Sequence, residues 1–139
     1  MYFYSYQAGK FANNTLFMMT YLSDKAMWTE IEVVGEQPKE RYGHTLTFTS
    51  PYLILFGGNT ERQAVNDVWC LNTNSKTAFQ WLKLNIRSEL PSPRVYHSAA
   101  YCGMGAATGM IVIFGGRNTN SQSLNDTWGN LTITRPKKT

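Results

Sequence analysis

The residues able to do chemistry in this chain come in pairs, and their spacing says what chemistry to expect. Arg41 and Arg94 stand 53 residues apart, each three residues before a histidine, in the segments ERYGH and PRVYH. A guanidinium grips a carboxylate or phosphate through two parallel hydrogen bonds. Arginine therefore suits an acidic or phosphorylated protein segment. The histidines, His44 and His97, would need an acid and a nucleophile beside them to catalyse acyl transfer. None shares their spacing, so they read as structural side chains bonded to backbone at the start of a strand. Cys70 and Cys102 lie 32 residues apart with no C-x-x-C and no neighbouring His pair. They read as small apolar residues in a reducing compartment, which places the chain in the cytoplasm, the nucleus or both, with no metal site.

These pairs belong to a longer repeat, and that repeat must position them. The stretch LILFGGNTERQAVNDVW at 53–69 recurs as IVIFGGRNTNSQSLNDTW at 111–128. The offset is 53 from Arg41 to Arg94, 58 from Gly57 to Gly115 and 59 from Asn66 to Asn125. A five-residue insertion in the Gly-rich run CGMGAATG accounts for most of the growth. Trp28 precedes Trp81 by 53. Setting Met1 on Leu53 without gaps also aligns MYFY with LILF and LFMM with VWCL, with Ser5-Tyr6 in place of a glycine pair. A repeat of roughly fifty residues is the first thing to settle, because it decides the fold. On this alignment the chain begins inside one unit, completes a second and stops inside a third.

Each repeated type has a physical reason. Gly57-Gly58 and Gly115-Gly116 end a buried strand where the backbone turns and a bulky neighbour comes close, which a Cβ would obstruct. Trp69, Trp81 and Trp128, with Trp28, are the natural neighbours, filling the wedge between adjacent sheets. Asn66-Asp67 and Asn125-Asp126 can hold the entry to the following strand through side-chain to backbone hydrogen bonds.

Composition narrows the partners. Of the net charge of +4, three positive charges sit at Arg135, Lys137 and Lys138, leaving ten basic against nine acidic residues in the body. No basic stripe of a nucleic-acid reader results. No apolar run reaches the ~18 residues of a membrane span, and the first ten residues lack the plan of a signal peptide. Strand-like runs are expected at 1–6, 16–22, 28–34, 44–49, 52–56, 68–72, 80–86, 97–102, 110–114 and 127–133. Connections such as GEQPKER and RSELPSPR are punctuated by Gly and Pro. No window sustains a period of 3.6, so helix content should be near zero.

Four short strands per unit, in antiparallel order, describe a propeller blade. R-Y-G-H, LILFGG, N-D-V-W and Trp81, with R-V-Y-H, IVIFGG and N-D-T-W, resemble the kelch repeat over nearly the whole chain. The expected fold is all-β, a partial kelch β-propeller of about two and a half four-stranded antiparallel blades. It divides into a partial blade at 1–36, a complete one at 37–89, a partial one at 90–134 and a basic tail at 135–139. GGRNTNSQSLNDTWG, RYGHTLTF, NDVWCLNT and FQWLKL resemble more narrowly the kelch region of protein phosphatases with kelch-like repeats, found in plants and apicomplexan and related protists. That resemblance implies a regulatory interaction arm without cofactor in this chain. Two divalent metals, such as Mn, would belong to a serine/threonine metallophosphatase domain elsewhere in the parent, since GDxHG and GNHE motifs do not occur here.

In a propeller the loops between blades and between second and third strands gather at one mouth. Arg41, Arg94, Asn59, Glu61, Arg62, Arg117, Asn118 and Asn120 are the candidate contacts there for an acidic or phosphorylated protein partner. Alternatively, Arg41 and Arg94 brace neighbouring blades through backbone carbonyls. Two and a half blades leave sheet faces unclosed, so self-association through them is expected. Two other classes fit the repeat. One is a scaffold such as a ubiquitin-ligase substrate adaptor. The other is a copper oxidase of the kind built on some kelch-like propellers, whose Tyr-Cys arrangement has no counterpart in this spacing.

Overall fold

The computed structural model describes residues 2–5, 15–22, 24–74 and 78–132. The first sheet runs β1 (Tyr2–Ser5), β2 (Leu16–Leu22), β3 (Lys25–Ile31), each antiparallel to the next. The second contains β5 (Thr45–Thr49), β6 (Tyr52–Phe56), β7 (Val68–Asn72) and β8 (Phe79–Lys83) as one meander. A two-residue strand, β4 (Val33–Val34), adds to its far edge parallel to β8. The third sheet is β9 (Ser98–Tyr101), β10 (Met110–Phe114), β11 (Thr127–Thr132). The fold is all-β, and among the described residues its sole helical turn is a 3-10 turn at Gly105–Ala107, inside the Gly-rich insertion.

Registers follow the repeat. Phe56 faces Thr45 on one side and Val68 on the other, and Phe114 faces Ser98 and Thr127 in the same way. Leu71 faces Trp81 as Met19 faces Trp28. The first unit shows one departure. Tyr2 pairs with Met19 as Leu53 pairs with Leu71, so Tyr2 rather than Met1 takes the place of Leu53. Cross-strand pairing sets register, and the ungapped alignment had ignored a one-residue difference in the connection. Tyr6 and most of that connection lie outside the described residues.

Two strands differ from the sequence expectation by more than one residue at an end. The run at 28–34 divides at Glu32, because the chain leaves the first sheet there to pair with the second. The run at 80–86 leaves its ladder after Lys83, and Leu84 and Ile86 turn into the core between the second and third sheets.

The middle sheet is covered on both faces, as period-2 alternation of apolar residues on both registers requires. Leu53, Leu55, Trp69, Leu71 and Trp81 cluster with Leu16 of the first sheet. On the other face Ile54, Phe56, Val68 and Cys70 cluster with Ile111 and Ile113 of the third. Fully burying a side chain such as Phe56 or Ile113 contributes about 1.5–3 kcal/mol. The two junctions are therefore the core.

Candidate functional site

The repeated Arg, Gly, Asp and Trp converge on one arrangement, built twice. Arg41 enters from the segment before β5, Gly57 ends β6, and Asp67 precedes β7. Arg41 Nη1 donates to the Gly57 carbonyl at 2.9 Å and to Asp67 Oδ1 at 2.6 Å, Nη2 to Asp67 Oδ2 at 3.0 Å, and Nε to the Lys39 carbonyl at 3.0 Å. In the next unit Arg94 Nη1 donates to the Gly115 carbonyl at 2.9 Å and to Asp126 Oδ1 at 2.7 Å. Its Nη2 reaches Asp126 Oδ2 at 2.7 Å and Ser92 Oγ at 3.2 Å, and Nε the Ser92 carbonyl at 3.1 Å. Each aspartate also accepts an indole N–H, from Trp69 at 2.8 Å and Trp128 at 2.7 Å. The planar fork ties the start of a unit to the loop that closes its second and third strands.

This placement rules out the mouth-contact reading of both arginines and sets them on backbone carbonyls, within a unit rather than between neighbouring blades. Arg41 is buried and Arg94 is wholly enclosed. Neither is offered to a partner at the mouth. Their side chains brace their own units, and only backbone groups of Arg94 cross to the neighbour, where Gly58 N–H donates to its carbonyl and its N–H donates to Val65 O. Asp67 and Asp126 likewise serve the arginines and indoles rather than the strand entry. Asn66 donates to the Pro91 carbonyl at 2.9 Å in the connection to the next unit, and Asn125 is exposed. Burial would raise the Asp67 carboxyl, but hydrogen bonds from Arg41 and Trp69 outweigh it and hold it below its ordinary value. The Arg94 hydrogen bond holds Asp126 far below it.

The glycine pairs take left-handed φ values of 64° and 96° at Gly57 and Gly58, and 64° and 92° at Gly115 and Gly116. Their close neighbours are not the tryptophans. A Cβ on Gly58 would lie 2.9 Å from the Tyr42 carbonyl and from His44 Cβ, and one on Gly116 would lie 2.6 Å from the Val95 carbonyl and 3.0 Å from His97 Cβ. The histidine that opens each unit thus packs on the glycine pair. His97 is buried, shares a 2.9 Å hydrogen bond between Nε2 and Thr45 Oγ1 of the preceding unit, and meets the Phe56 ring edge-on. Beside that side-chain bond the Phe56 backbone also acts on the imidazole, the kind of partner the sequence suggested. Burial, then Arg41, pushes His44 down to about 4, and burial, then Arg94, does the same to His97. Both imidazoles are neutral near pH 7.

The remaining candidates divide. Asn118 staples its own loop, accepting the Asn120 and Gln122 N–H groups at 3.0 Å each and donating to Gln122 Oε1 at 2.9 Å. Asn59 donates to the Tyr42 hydroxyl at 2.9 Å. Glu61, Arg62, Arg117 and Asn120 are exposed, and Glu61 and Arg62 line a shallow cleft with Lys39, Glu40 and Thr60. Among the described residues neither Arg62 nor Arg117 forms a salt bridge.

Two residues that sequence reasoning missed connect these loops. Tyr42 bridges to Asn59, Val95 bridges to Arg117, and the rings of Tyr42 and Tyr96 lie 6.1 Å apart on the surface. Tyr96 has a φ of 56° and stands where the preceding unit has Gly43, whose φ is 66°. A bulky residue in that region is strained. The available signal was the 53-residue offset, which sets Tyr96 on Gly43.

Comparison with known proteins agrees with this architecture. Residues 4–136 match the family described as the KLHDC2/KLHL20/DRC7 Kelch-repeats domain. The serine/threonine-protein phosphatase BSL2 of Arabidopsis thaliana is 31% identical over 115 residues, covering 82% of this chain and 11% of BSL2. An F-box/kelch-repeat protein of the same plant is 31% identical over 126 residues, covering 88% of this chain and 26% of that protein. The solved structure of YjhT superposes with a TM-score of 0.57 at 25% identity, covering 76% of this chain and 29% of the other. The chain spans about a tenth to a quarter of the length of these two plant relatives. Its repeated Arg–Asp–Trp brace, paired glycines and stacked sheets place it in the kelch-repeat family, as a partial β-propeller that forms a protein-interaction module.

Proposed function

We propose that the chain is the partner-binding arm of a larger signalling protein and presents its loop face to an acidic or phosphorylated protein segment. The observation that carries this reading is Tyr96. It keeps an aromatic ring exposed at a position whose left-handed backbone favours glycine, and strain of that kind collects at contact sites. Around it lie Tyr42 and Asn59 on one side and Arg117 on the other, with the Arg62 loop following Asn59. Exposed aromatic and arginine side chains are the types that anchor protein interfaces.

The similarity to BSL2 favours a parent of the protein-phosphatase class, with this module regulating a phosphatase domain outside the segment; free cysteines, as in a reducing compartment, are what support action in the cytoplasm or nucleus. A second reading, a substrate adaptor for a ubiquitin ligase, is favoured by the similarity to the F-box/kelch-repeat protein. Both use the same loop face.

Fluorescence anisotropy with labelled phosphoserine-rich, glutamate-rich and uncharged peptides tests the binding reading. The first two should bind and weaken with salt. Arg62→Glu together with Arg117→Glu should weaken them at least about tenfold, or about 1.4 kcal/mol. Tyr96→Gly should weaken them while leaving the melting temperature nearly unchanged. Equal binding of all three peptides, or no effect of these substitutions, would overturn the assignment.

A further inference from the structure

Ser92 departs from the repeat at a point where the surrounding geometry is kept. Pro38-Lys39-Glu40 leads into the brace at Arg41, and Pro91-Ser92-Pro93, 53 residues on, leads into the brace at Arg94. Lys39 and Ser92 each give the Nε of their arginine a backbone carbonyl. A lysine side chain has no acceptor to add, whereas the Ser92 hydroxyl accepts a further bond from Arg94 Nη2 at 3.2 Å. Ser92 is nonetheless exposed, in the irregular connection between β8 and β9, while Arg94 is wholly enclosed. It is a solvent-facing nucleophile in contact with an enclosed guanidinium. Pro93 follows it, which favours extended backbone at Ser92 and leaves no N–H on the next residue. That is the form in which a proline-directed kinase accepts a hydroxyl.

We infer that Ser92 is a phosphorylation site, modified by a proline-directed protein kinase with a nucleoside triphosphate, and that its phosphate takes Arg94 away from Asp126. In the transfer Ser92 Oγ bonds to the γ-phosphorus and the bond from that phosphorus to the β–γ bridging oxygen breaks. The nucleoside diphosphate leaves, and the hydroxyl proton passes to the catalytic carboxylate of the kinase. The effect on the brace follows from the number of donors. A guanidinium has five N–H groups, and all five of Arg94 are in use. Nη1 serves the Gly115 carbonyl and Asp126 Oδ1, Nη2 serves Asp126 Oδ2 and Ser92 Oγ, and Nε serves the Ser92 carbonyl. A phosphate brings about −1.5 to −2 charges and three strong acceptor oxygens. It gains the guanidinium only by displacing Asp126, whose Oδ2 shares Nη2 with Ser92. Two anions then stand beside one cation, and their repulsion drives the carboxylate out. Asp126 directly precedes β11 and holds the Trp128 indole, so the third unit loosens while the brace at Arg41 is untouched. This device acts on the fold and does not depend on what the loop face binds. The chain has one other Ser-Pro pair, Ser50-Pro51, exposed in the turn between β5 and β6. Ser50 takes no part in either brace and is the internal control.

Two measurements on the 139-residue chain test this. Incubation of the native chain with ATP and a mitogen-activated or cyclin-dependent protein kinase, followed by mass spectrometry, should find phosphate on Ser92, and Ser92→Ala should remove that phosphopeptide alone. Phosphoserine inserted at 92 during translation should lower the melting temperature by at least about 5 °C, and phosphoserine at 50 should leave it within about 1 °C. Ser92→Ala, which loses only one exposed hydrogen bond, should shift it by less than about 3 °C, so a larger fall belongs to the phosphate. Should the phosphorylated chain fail to fold, Ser92→Glu should melt below Ser92→Gln, which has the same shape without the charge. Native chain that carries no phosphate on Ser92 overturns the site. A phosphoserine-92 chain that melts with the unmodified chain or above it, or equal melting of Ser92→Glu and Ser92→Gln, overturns the release of Asp126.

Discussion

Replacing Arg94 by methionine separates an arginine that holds the fold from one that awaits a ligand. Methionine keeps the apolar stem of the enclosed side chain but removes all five N–H donors. The Gly115 and Ser92 carbonyls and Ser92 Oγ then lose the guanidinium, and the Asp126 carboxylate keeps only the Trp128 indole of its side-chain donors. Breaking a buried ion pair in this way costs about 3–5 kcal/mol. The Asp126 side chain is 39% exposed, and water can partly replace the guanidinium, so the lower end applies, about 3 kcal/mol. For a chain of this size that is a fall of about 10–15 °C in melting temperature. Arg94→Lys restores charge without the fork and should recover only part of the loss. Arg94→Glu and Arg41→Glu place like charges beside Asp126 and Asp67 and should prevent folding. Thermal unfolding followed by circular dichroism reads all four, with Arg62→Glu as the exposed control. If Arg94→Met melts within about 3 °C of the parent, less than 1 kcal/mol has been lost and the bracing role is wrong.

Two further outcomes follow from the same geometry. His44 and His97 are held at about 4 against 6.5 in the unfolded chain. The unfolded state takes up their protons first as pH falls, so their stabilisation is complete above about 6.5 and is lost progressively toward 4. From pH 7 to pH 5 each should cost roughly 2 kcal/mol, seen as a falling urea midpoint, and a flat midpoint over that range would refute the burial assigned to them. The Asp67 and Asp126 pairs fail only below the ordinary carboxylate range, because their depressed carboxyls stay ionised through this window. Burial pushes the Cys70 thiol up to about 11, so a thiol reagent near neutral pH should modify the half-buried Cys102 first and reach Cys70 only on unfolding; simultaneous modification in the native protein contradicts the packing of β7.

Much of the fold was legible in the residues. The strands at 16–22, 52–56, 68–72 and 110–114 were expected with the bounds observed. They alternate apolar residues between turn signals, and the repeat supplied a second reading of each. The candidate site was less legible. Arg41 and Arg94 suit a carboxylate, and a carboxylate is what they hold, but nothing in their spacing said that it belongs to their own unit. Asp67 and Asp126 lie 26 and 32 residues further on, and only the path of β5 to β7 and β9 to β11 brings each pair together. Tyr96 was missed because a left-handed backbone is invisible in a residue type that rarely adopts one.

By itself the amino-acid sequence determined which residues form strands and which strands are equivalent, because alternation, glycine pairs and repeat spacing act over a few residues at a time. Tertiary structure alone decided that Phe56 is covered and Phe114 open, that Trp81 is enclosed and Trp28 exposed, and that the matched arginines turn inward. Equivalent side chains carry the same local instructions. Their burial depends on whether another sheet lies against them, and that is a property of the stack.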